Sequence, residues 1–343
     1  MKIAQVAPLH ESVPPRLYGG TERIVSYLTE ELVEMGHDVT LYASGDSMTK
    51  AKLKSVCKKS LRLDKKSIDP VANHVYESEV IYSDAASFDL IHSSIDYICY
   101  PILRRIKTPN ITTLHGRLDI PNLKPIYREF REIPVVSISN SQRAPIQANW
   151  QGTVYHGIPK NLYALNKKPE KYLAFIGRAS PEKGLHTAIE IAKLASIPIK
   201  IAVKVTTSEK HYFDERIMPS LDHPLVEFIG EISERRKQDF LGNALALLFP
   251  IGWPEPFGLV MIEAMACGTP VIAFRKGSVP EVIDDKKTGL IVRSMDEAVR
   301  AAANISRIDR TVCRKVFEKR FTARRMAKDY LDIYYHICRK RAI

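Results

Sequence analysis

Along this chain, short runs of consecutive apolar residues alternate with longer stretches whose apolar positions recur every three or four residues. The first kind reads as buried parallel strands, the second as helices laid against them. Residues 2–7 (KIAQVA) are such a run. Residues 22–35 follow with Ile24, Val25, Leu28, Leu32 and Met35 at helical spacing, and Gly36 stops them. Further strands are expected at 39–43, 89–92, 110–114, 134–139 and 153–155. A stretch rich in Gly, Pro and polar residues at 156–168 reads as a linker. The alternation then restarts, with strands at 172–176, 199–205, 226–229, 244–251 and 271–274, and helices at 185–195, 257–266 and 296–303. The last segment, 321–339, puts Met326, Tyr330, Ile333, Tyr334 and Ile337 on one helix face. The pattern is that of an α/β chain with parallel sheets. No internal repeat is visible, although the two halves share this character.

Candidate chemistry concentrates at 244–274, where Glu255 and Glu263 sit in otherwise apolar surroundings. A buried carboxylate costs several kcal/mol unless it is paired or hydrogen-bonded. Glu255 lies just after a strand, where open α/β sheets bind ligands. The N–H groups of Phe257, Gly258, Leu259 and Val260 are expected to open a helix, and such an N-terminus favours an anion such as phosphate. Glu263, further along that helix, suits paired hydroxyls such as those of a ribose.

Three other places follow the same logic. Arg178 and Lys183 lie in the loop GRASPEKG after a strand; the first can clamp phosphate in bidentate fashion, the second supplies a point charge. His115 follows a strand directly and can donate a hydrogen bond or act as a base near neutral pH. Gly19 and Gly20 precede a helix, again a place for an anion, but without the tight turn of a dinucleotide fingerprint. Asp96, Arg117 and Asp119 lie in nearby loops as candidate acceptor contacts, with surface pairing an equal alternative.

Length bounds the chain to about two domains, since it has 343 residues. Apolar residues make up 45% of it, yet no run approaches the ~20 residues of a spanning helix. Five scattered cysteines without C-x-x-C spacing argue against zinc or a disulfide framework, and a cytoplasmic protein is expected. A net charge of +12 favours anionic partners, but no nucleic-acid-binding signature accompanies it, so specific nucleic-acid binding is not expected. The most basic run, 50–66, is read mainly as a solvated insertion. Leu53, Val56, Cys57 and Leu61 could also form one face of a short helix, leaving weak membrane-surface contact as a second reading.

EPFGLVMIEAMACGTPVIA closely resembles the donor-site signature of the family-4 retaining glycosyltransferases; TTLHG and GRASPEKG resemble that family's active-site histidine and diphosphate loop. The resemblance extends over nearly the whole chain. It implies the GT-B fold, two Rossmann-like domains facing each other across a cleft, with a C-terminal helix that crosses back to the first. Residues 1–158 plus 323–343 would form the acceptor domain and 159–322 the nucleotide-sugar domain. The resemblance further implies that Glu255 contacts the donor sugar and Glu263 the ribose. Arg178 and Lys183 would stabilise the leaving diphosphate, His115 would touch the sugar, and Gly19 and Gly20 would meet donor phosphates or acceptor. Backbone near Gly230 would face the base, and residues 275–281 would add contacts. No acid pair of the D-x-D type is present, so no metal and no cofactor is expected. PPRLYGGTER and LHGRLD resemble a bacterial subgroup that includes pterin glucosyltransferases, which favours UDP-glucose, with a GDP-sugar as the other candidate donor. The acceptor is not readable. A sugar-nucleotide epimerase of the same fold and a non-catalytic nucleotide-sugar binder are the alternatives.

Overall fold

Residues Lys2–Val6 form the strand around which the first sheet is built. All seven of its strands run parallel: β1 (Lys2–Val6), β2 (Asp38–Tyr42), β3 (Lys52–Lys54), β4 (Leu90–Ser93), β5 (Asn110–Thr113), β6 (Pro134–Ser137) and β7 (Asn149–Thr153), in the order β3-β2-β1-β4-β5-β6-β7. Connecting them are α1 (Gly20–Glu34), α2 (Pro70–Asp84), α3 (Tyr100–Leu103), α4 (Leu123–Glu129) and α5 (Asn140–Arg143). The computed structural model describes residues 1–64 and 69–341, and divides into Met1–Pro159 with Ala323–Ile343 as one unit and Lys160–Thr322 as the other.

The second unit is a six-stranded parallel sheet of β8 (Leu173–Arg178), β9 (Ile199–Lys204), β10 (Val226–Phe228), β11 (Ala246–Phe249), β12 (Val271–Phe274) and β13 (Gly289–Val292), in the order β10-β9-β8-β11-β12-β13. Its helices are α6 (Leu185–Ala195), α7 (Lys210–Tyr212), α8 (Glu234–Gly242), α9 (Leu259–Ala266), α10 (Val279–Val282), α11 (Met295–Asn304) and α12 (Arg310–Arg320). Strand order reverses between β8 and β11, which makes the crevice above their carboxyl ends the natural ligand position. Leu185, Ile189 and Ile191 of α6 and Ala298 and Ala302 of α11 pack with Phe175, Ile201, Leu248 and Ile272 of the sheet.

The last helix, α13 (Ala323–Arg341), belongs to the first unit. A buried polar chain fixes it to the sheet. Gln5 Nε2 donates to the Tyr334 hydroxyl (3.1 Å), which leaves that hydroxyl's proton for His92 Nδ1 (2.6 Å). His92 Nε2 then donates to Thr113 Oγ1 (2.7 Å), and Thr113 meets the Tyr330 hydroxyl (2.9 Å). Burial pushes His92 down to about 3, which fits the neutral imidazole this order requires.

Three local expectations are corrected. The basic run makes no helix: Lys52–Lys54 joins the sheet edge, pairing Thr40↔Lys52 and Tyr42↔Lys54. Lysines suit an edge strand because they discourage further pairing. Beyond it, Leu61 N donates to Leu9 O (2.9 Å) and Arg62 N to His10 O (3.1 Å), so the run closes over the carboxyl end of β1. Its Lys65 and Lys66 lie outside the described residues. The strand expected at 153–155 lies at Asn149–Thr153, beside a register shift at Val135/Val136. Helix α9 starts at Leu259, not Phe257, because Gly258 turns the chain with φ 78° before the helix begins. No helix among the described residues is long and apolar enough to cross a membrane.

Candidate active site

In the second unit, the loops after β8 and β11 meet at the point where strand order reverses. Gly252 N donates to Glu182 O (2.8 Å). Gly184 has φ 75°, and a Cβ there would come within 2.2 Å of Pro250 O, so only glycine lets the two loops close. The closure sets Lys183 Nζ 2.5 Å from Glu255 Oε2. Trp253 Nε1 donates to the same oxygen (2.9 Å), and its ring faces the Lys183 ammonium at 5.3 Å. Arg178 is gripped at both ends, by Glu209 (2.7 Å) and Glu182 (2.9 Å). Glu209 is itself fixed by the Thr206 N–H and hydroxyl. Both cations in this loop are thus held by carboxylates.

The backbone of Glu255 is clamped from the far side. Ser278 N donates to Glu255 O (3.0 Å) and Ser278 Oγ to Phe257 O (2.8 Å). Gly277, at φ 52°, lies so close that a Cβ would stand 2.4 Å from both Glu255 N and O. Gly277 and Ser278 thus pack directly on the backbone of Glu255.

Glu263 is buried on α9, and its partner was not singled out from the sequence: Lys237 of α8 reaches it at 2.8 Å. Glu234 also approaches Lys237 (3.4 Å), and the Tyr163 hydroxyl donates to Glu234. The signal was available, since a buried carboxylate demands a cation, but nothing in the spacing says which lysine supplies it. Gly230 lies between β10 and α8 with φ 80°.

In the first unit, His115 Nε2 lies 3.2 Å from Ser94 Oγ, and the ring stacks on His156 at 5.4 Å and 17°. Burial lowers His115 to about 3. A base poised near neutrality is therefore not what this imidazole offers; it is a neutral hydrogen-bonding group. His156, assigned to a linker on sequence, is instead buried against it and likewise held neutral by burial. Asp96 takes the left-handed φ of 50° and accepts from the His115 backbone N–H. Its Oδ1 is buried without a protein hydrogen bond, and burial raises the carboxyl to about 6. The buried acceptor without a protein partner keeps Asp96 a candidate position. Arg117 and Asp119 pair with each other through two contacts of 2.7 and 2.8 Å on an exposed loop.

Gly19 caps α1, whose first turn starts at Gly20. Beside it lie two acids that no local pattern singles out, Glu11 and Glu22. Glu11 pairs with Arg62 (2.7 Å), and Glu22 accepts the Glu11 N–H while burial raises its carboxyl to about 7.

Residues 18–144 match the family described as Glycosyltransferase Family 4, and residues 161–310 match Glycosyl transferases group 1. An uncharacterized 41.2 kDa protein of the Klebsiella pneumoniae cps region is 28% identical over 174 residues, covering 49% of this chain and 47% of that protein. The match thus spans about half the length of that relative. Among solved structures, AviGT4, a glycosyltransferase involved in avilamycin A biosynthesis, superposes with a TM-score of 0.75 at 24% identity over 98% of both chains. HepE of Anabaena, solved with UDP and glucose, superposes with a TM-score of 0.71 at 17% identity, over 97% of this chain and 98% of its own. Two parallel-sheet Rossmann-like units are common to these structures and this chain.

Proposed function

The chain belongs to the GT-B glycosyltransferases of family 4, and we propose that it moves a hexosyl unit from a UDP-sugar, UDP-glucose first among them, to an acceptor hydroxyl with retention of anomeric configuration. The observation that carries this reading is the pairing of Lys183 with Glu255 where strand order reverses in the second unit, with Arg178 at the start of the same loop. As the sugar–phosphate bond breaks, the diphosphate gains negative charge. Arg178 and Lys183 offer positive charge, and the first turn of α9 at Leu259 and Val260 offers N–H groups already fixed in place, a preorganised stabilisation of the kind that lowers such barriers. Binding exchanges the carboxylate partners of the two cations for phosphate oxygens. That exchange frees Glu255 to accept from sugar hydroxyls.

In this reading the second unit holds the donor, with Glu263 on the ribose and the backbone near Gly230 on the base. HepE, solved with UDP and glucose, supports the choice of nucleotide. The first unit serves the acceptor, with Asp96 orienting its hydroxyl and His115 donating a hydrogen bond to the transferred sugar. The departing phosphate oxygen takes the acceptor proton while the new bond forms on the face the phosphate leaves, so no protein carboxylate need act as nucleophile. The diphosphate charge is carried by side chains and a helix terminus, and we propose turnover without a divalent metal.

The test is a donor screen by thermal shift followed by product analysis. A donor at 100 times its Kd should stabilise by about 2.7 kcal/mol. Release of free nucleoside diphosphate with retained configuration supports transfer. Sugar interconversion without release would instead mark an epimerase, and binding with neither outcome a carrier. Arg178→Ala and Lys183→Ala should each lower turnover roughly 100- to 1000-fold. Near-normal rates in both would remove this loop from the mechanism.

A further inference from the structure

Arg178 meets two carboxylates that are held in different ways. Glu182 lies four residues further along the same loop and takes Nη2 through a contact of 2.9 Å; its side chain is 32% exposed. Glu209 comes from another segment, after β9, and its side chain is 6% exposed. Its two oxygens are divided. Oε1 accepts from Arg178 Nη1 at 2.7 Å, while Oε2 accepts from the Thr206 N–H (3.1 Å) and hydroxyl (2.7 Å). The Glu209 N–H donates to Thr206 O (3.0 Å), so side chain and backbone of Glu209 are locked into one capping box.

That turn is itself tied down. Tyr212 sets its hydroxyl 2.8 Å from His186 Nδ1 of α6, and Phe213 and Ile217 are buried in the core of the second unit. Glu209 therefore has little slack with which to leave Arg178. Glu182 is different, because its side chain is a third exposed and can turn outward within its own loop.

The charges around the loop call for one such departure. Arg178 and Lys183 face Glu182, Glu209 and Glu255, two cations against three carboxylates. A diphosphate is repelled by that set until a carboxylate moves aside. Resting on the donor reading above, we propose a division of labour at Arg178. Glu182 is the partner that yields to phosphate. Glu209 is a positioning residue that stays, holding the guanidinium at Nη1 so that Nη2, vacated by Glu182, meets the diphosphate. A guanidinium fixed at one nitrogen presents the rest of its planar fork to phosphate in a set direction. Glu209 itself touches neither the donor nor the reacting atoms.

The experiment uses the intact chain, with UDP binding followed by calorimetry and turnover read as UDP release from UDP-glucose, water serving as acceptor. Glu182→Gln removes a competitor and should tighten UDP about two- to fivefold, the strength of a partly exposed pair. Glu209→Gln should leave UDP binding no weaker, yet lower kcat about ten- to a hundredfold with KM little changed, as a misplaced charge would. Thr206→Val keeps the carboxylate but loosens it, and should lower kcat about two- to tenfold, which keeps the test decisive if Glu209→Gln folds poorly. A merely structural role would lower melting temperature, UDP affinity and kcat together, and that pattern would overturn the proposal. So would tighter UDP with undiminished kcat in Glu209→Gln, because Glu209 would then be a second competitor. If the parent binds UDP and the two glutamate variants behave alike, this role falls alone; if the parent binds no UDP, the donor reading falls and this role with it.

Discussion

Replacing Lys237 with methionine gives the sharpest test of how the second unit keeps a carboxylate in its core. The side chain of Glu263 is 4% exposed and that of Lys237 15%, so their 2.8 Å pair is screened little by water. Removing one partner of such a pair typically costs 3–5 kcal/mol, because the other charge is left buried alone. Here the loss should fall in the upper part of that range. Glu234 also leans on Lys237 at 3.4 Å, so the substitution leaves two carboxylates facing one hole. The reverse change is milder. Glu263→Gln leaves Lys237 with Glu234 and should cost about 1–2 kcal/mol, the scale of a charged hydrogen bond exchanged for a neutral one. Combining both changes removes both charges, and the double variant should recover at least 2 kcal/mol relative to the sum of the singles. The molecule supplies its own reporter. Of its two tryptophans, Trp150 lies in the first unit and Trp253 in the second, so urea unfolding followed by emission in a Trp150→Phe background reads the second unit. Strictly additive single effects, or a Lys237→Met cost below about 1 kcal/mol, would refute the idea that Lys237 neutralises Glu263.

Three further outcomes follow from the geometry. Glu22 has its carboxyl raised by burial to about 7 from the ordinary 4.5, so the folded state favours the protonated form. The stability it contributes is full below about pH 4.5 and is lost as pH rises through 7, about 3 kcal/mol in all. Glu22→Gln should therefore stabilise the first unit by about 2–3 kcal/mol at about pH 8 and far less near pH 5; an equal effect at both would show that burial is not the cause. Gly277→Ala would drive a Cβ to 2.4 Å from the Glu255 backbone, and should weaken binding of a sugar nucleotide more than that of the free nucleotide. Unchanged binding of both would detach residues 275–281 from the site. Tyr334→Phe leaves His92 Nδ1 and Gln5 Nε2 without their shared hydroxyl and should cost about 1–3 kcal/mol in thermal or urea unfolding, whereas Tyr335→Phe, on the exposed side of α13, should cost nothing measurable.

What the sequence made legible was the part that depends on local chemistry. Parallel strands buried on both faces tend to run apolar, so β8 (LAFIGR), β11 (ALLF) and β12 (VIAF) announce themselves in composition alone, whereas β4 (LIHS) and β5 (NITT) carry polar side chains inside. Ligands of open α/β sheets bind at loops that end such strands, so Arg178, Lys183 and Glu255 stood out as candidates, and the structure brings Lys183 and Glu255 together. Helix α2 was equally legible and went unread: Asp69 before Pro70 is an N-cap followed by proline at the first helical position, and the Asp69 side chain does accept from Val71 and Ala72. Edge strand β3 was hidden for a different reason. Lys52–Lys54 has no apolar face, and only the presence of β2 beside it makes it a strand.

The parts that stayed dark are those set by distance in sequence. Lys237 and Glu263 are separated by 26 positions, Gln5 and Tyr334 by 329, and Glu11 and Arg62 by 51. A single sequence states that a buried charge must find a partner, but the choice among 51 lysines and arginines is made by chain topology. The same holds for protonation. Nothing local to TTLHG says that His115 will be stacked on His156 and driven neutral, yet that burial decides whether the ring can serve as a base. Residue type and position thus fix which groups can act, while packing from distant segments fixes their charge state. For that reason Lys237 and His156, neither of which the local pattern singled out, are the residues whose substitution should shift the behaviour of Glu263 and His115 most.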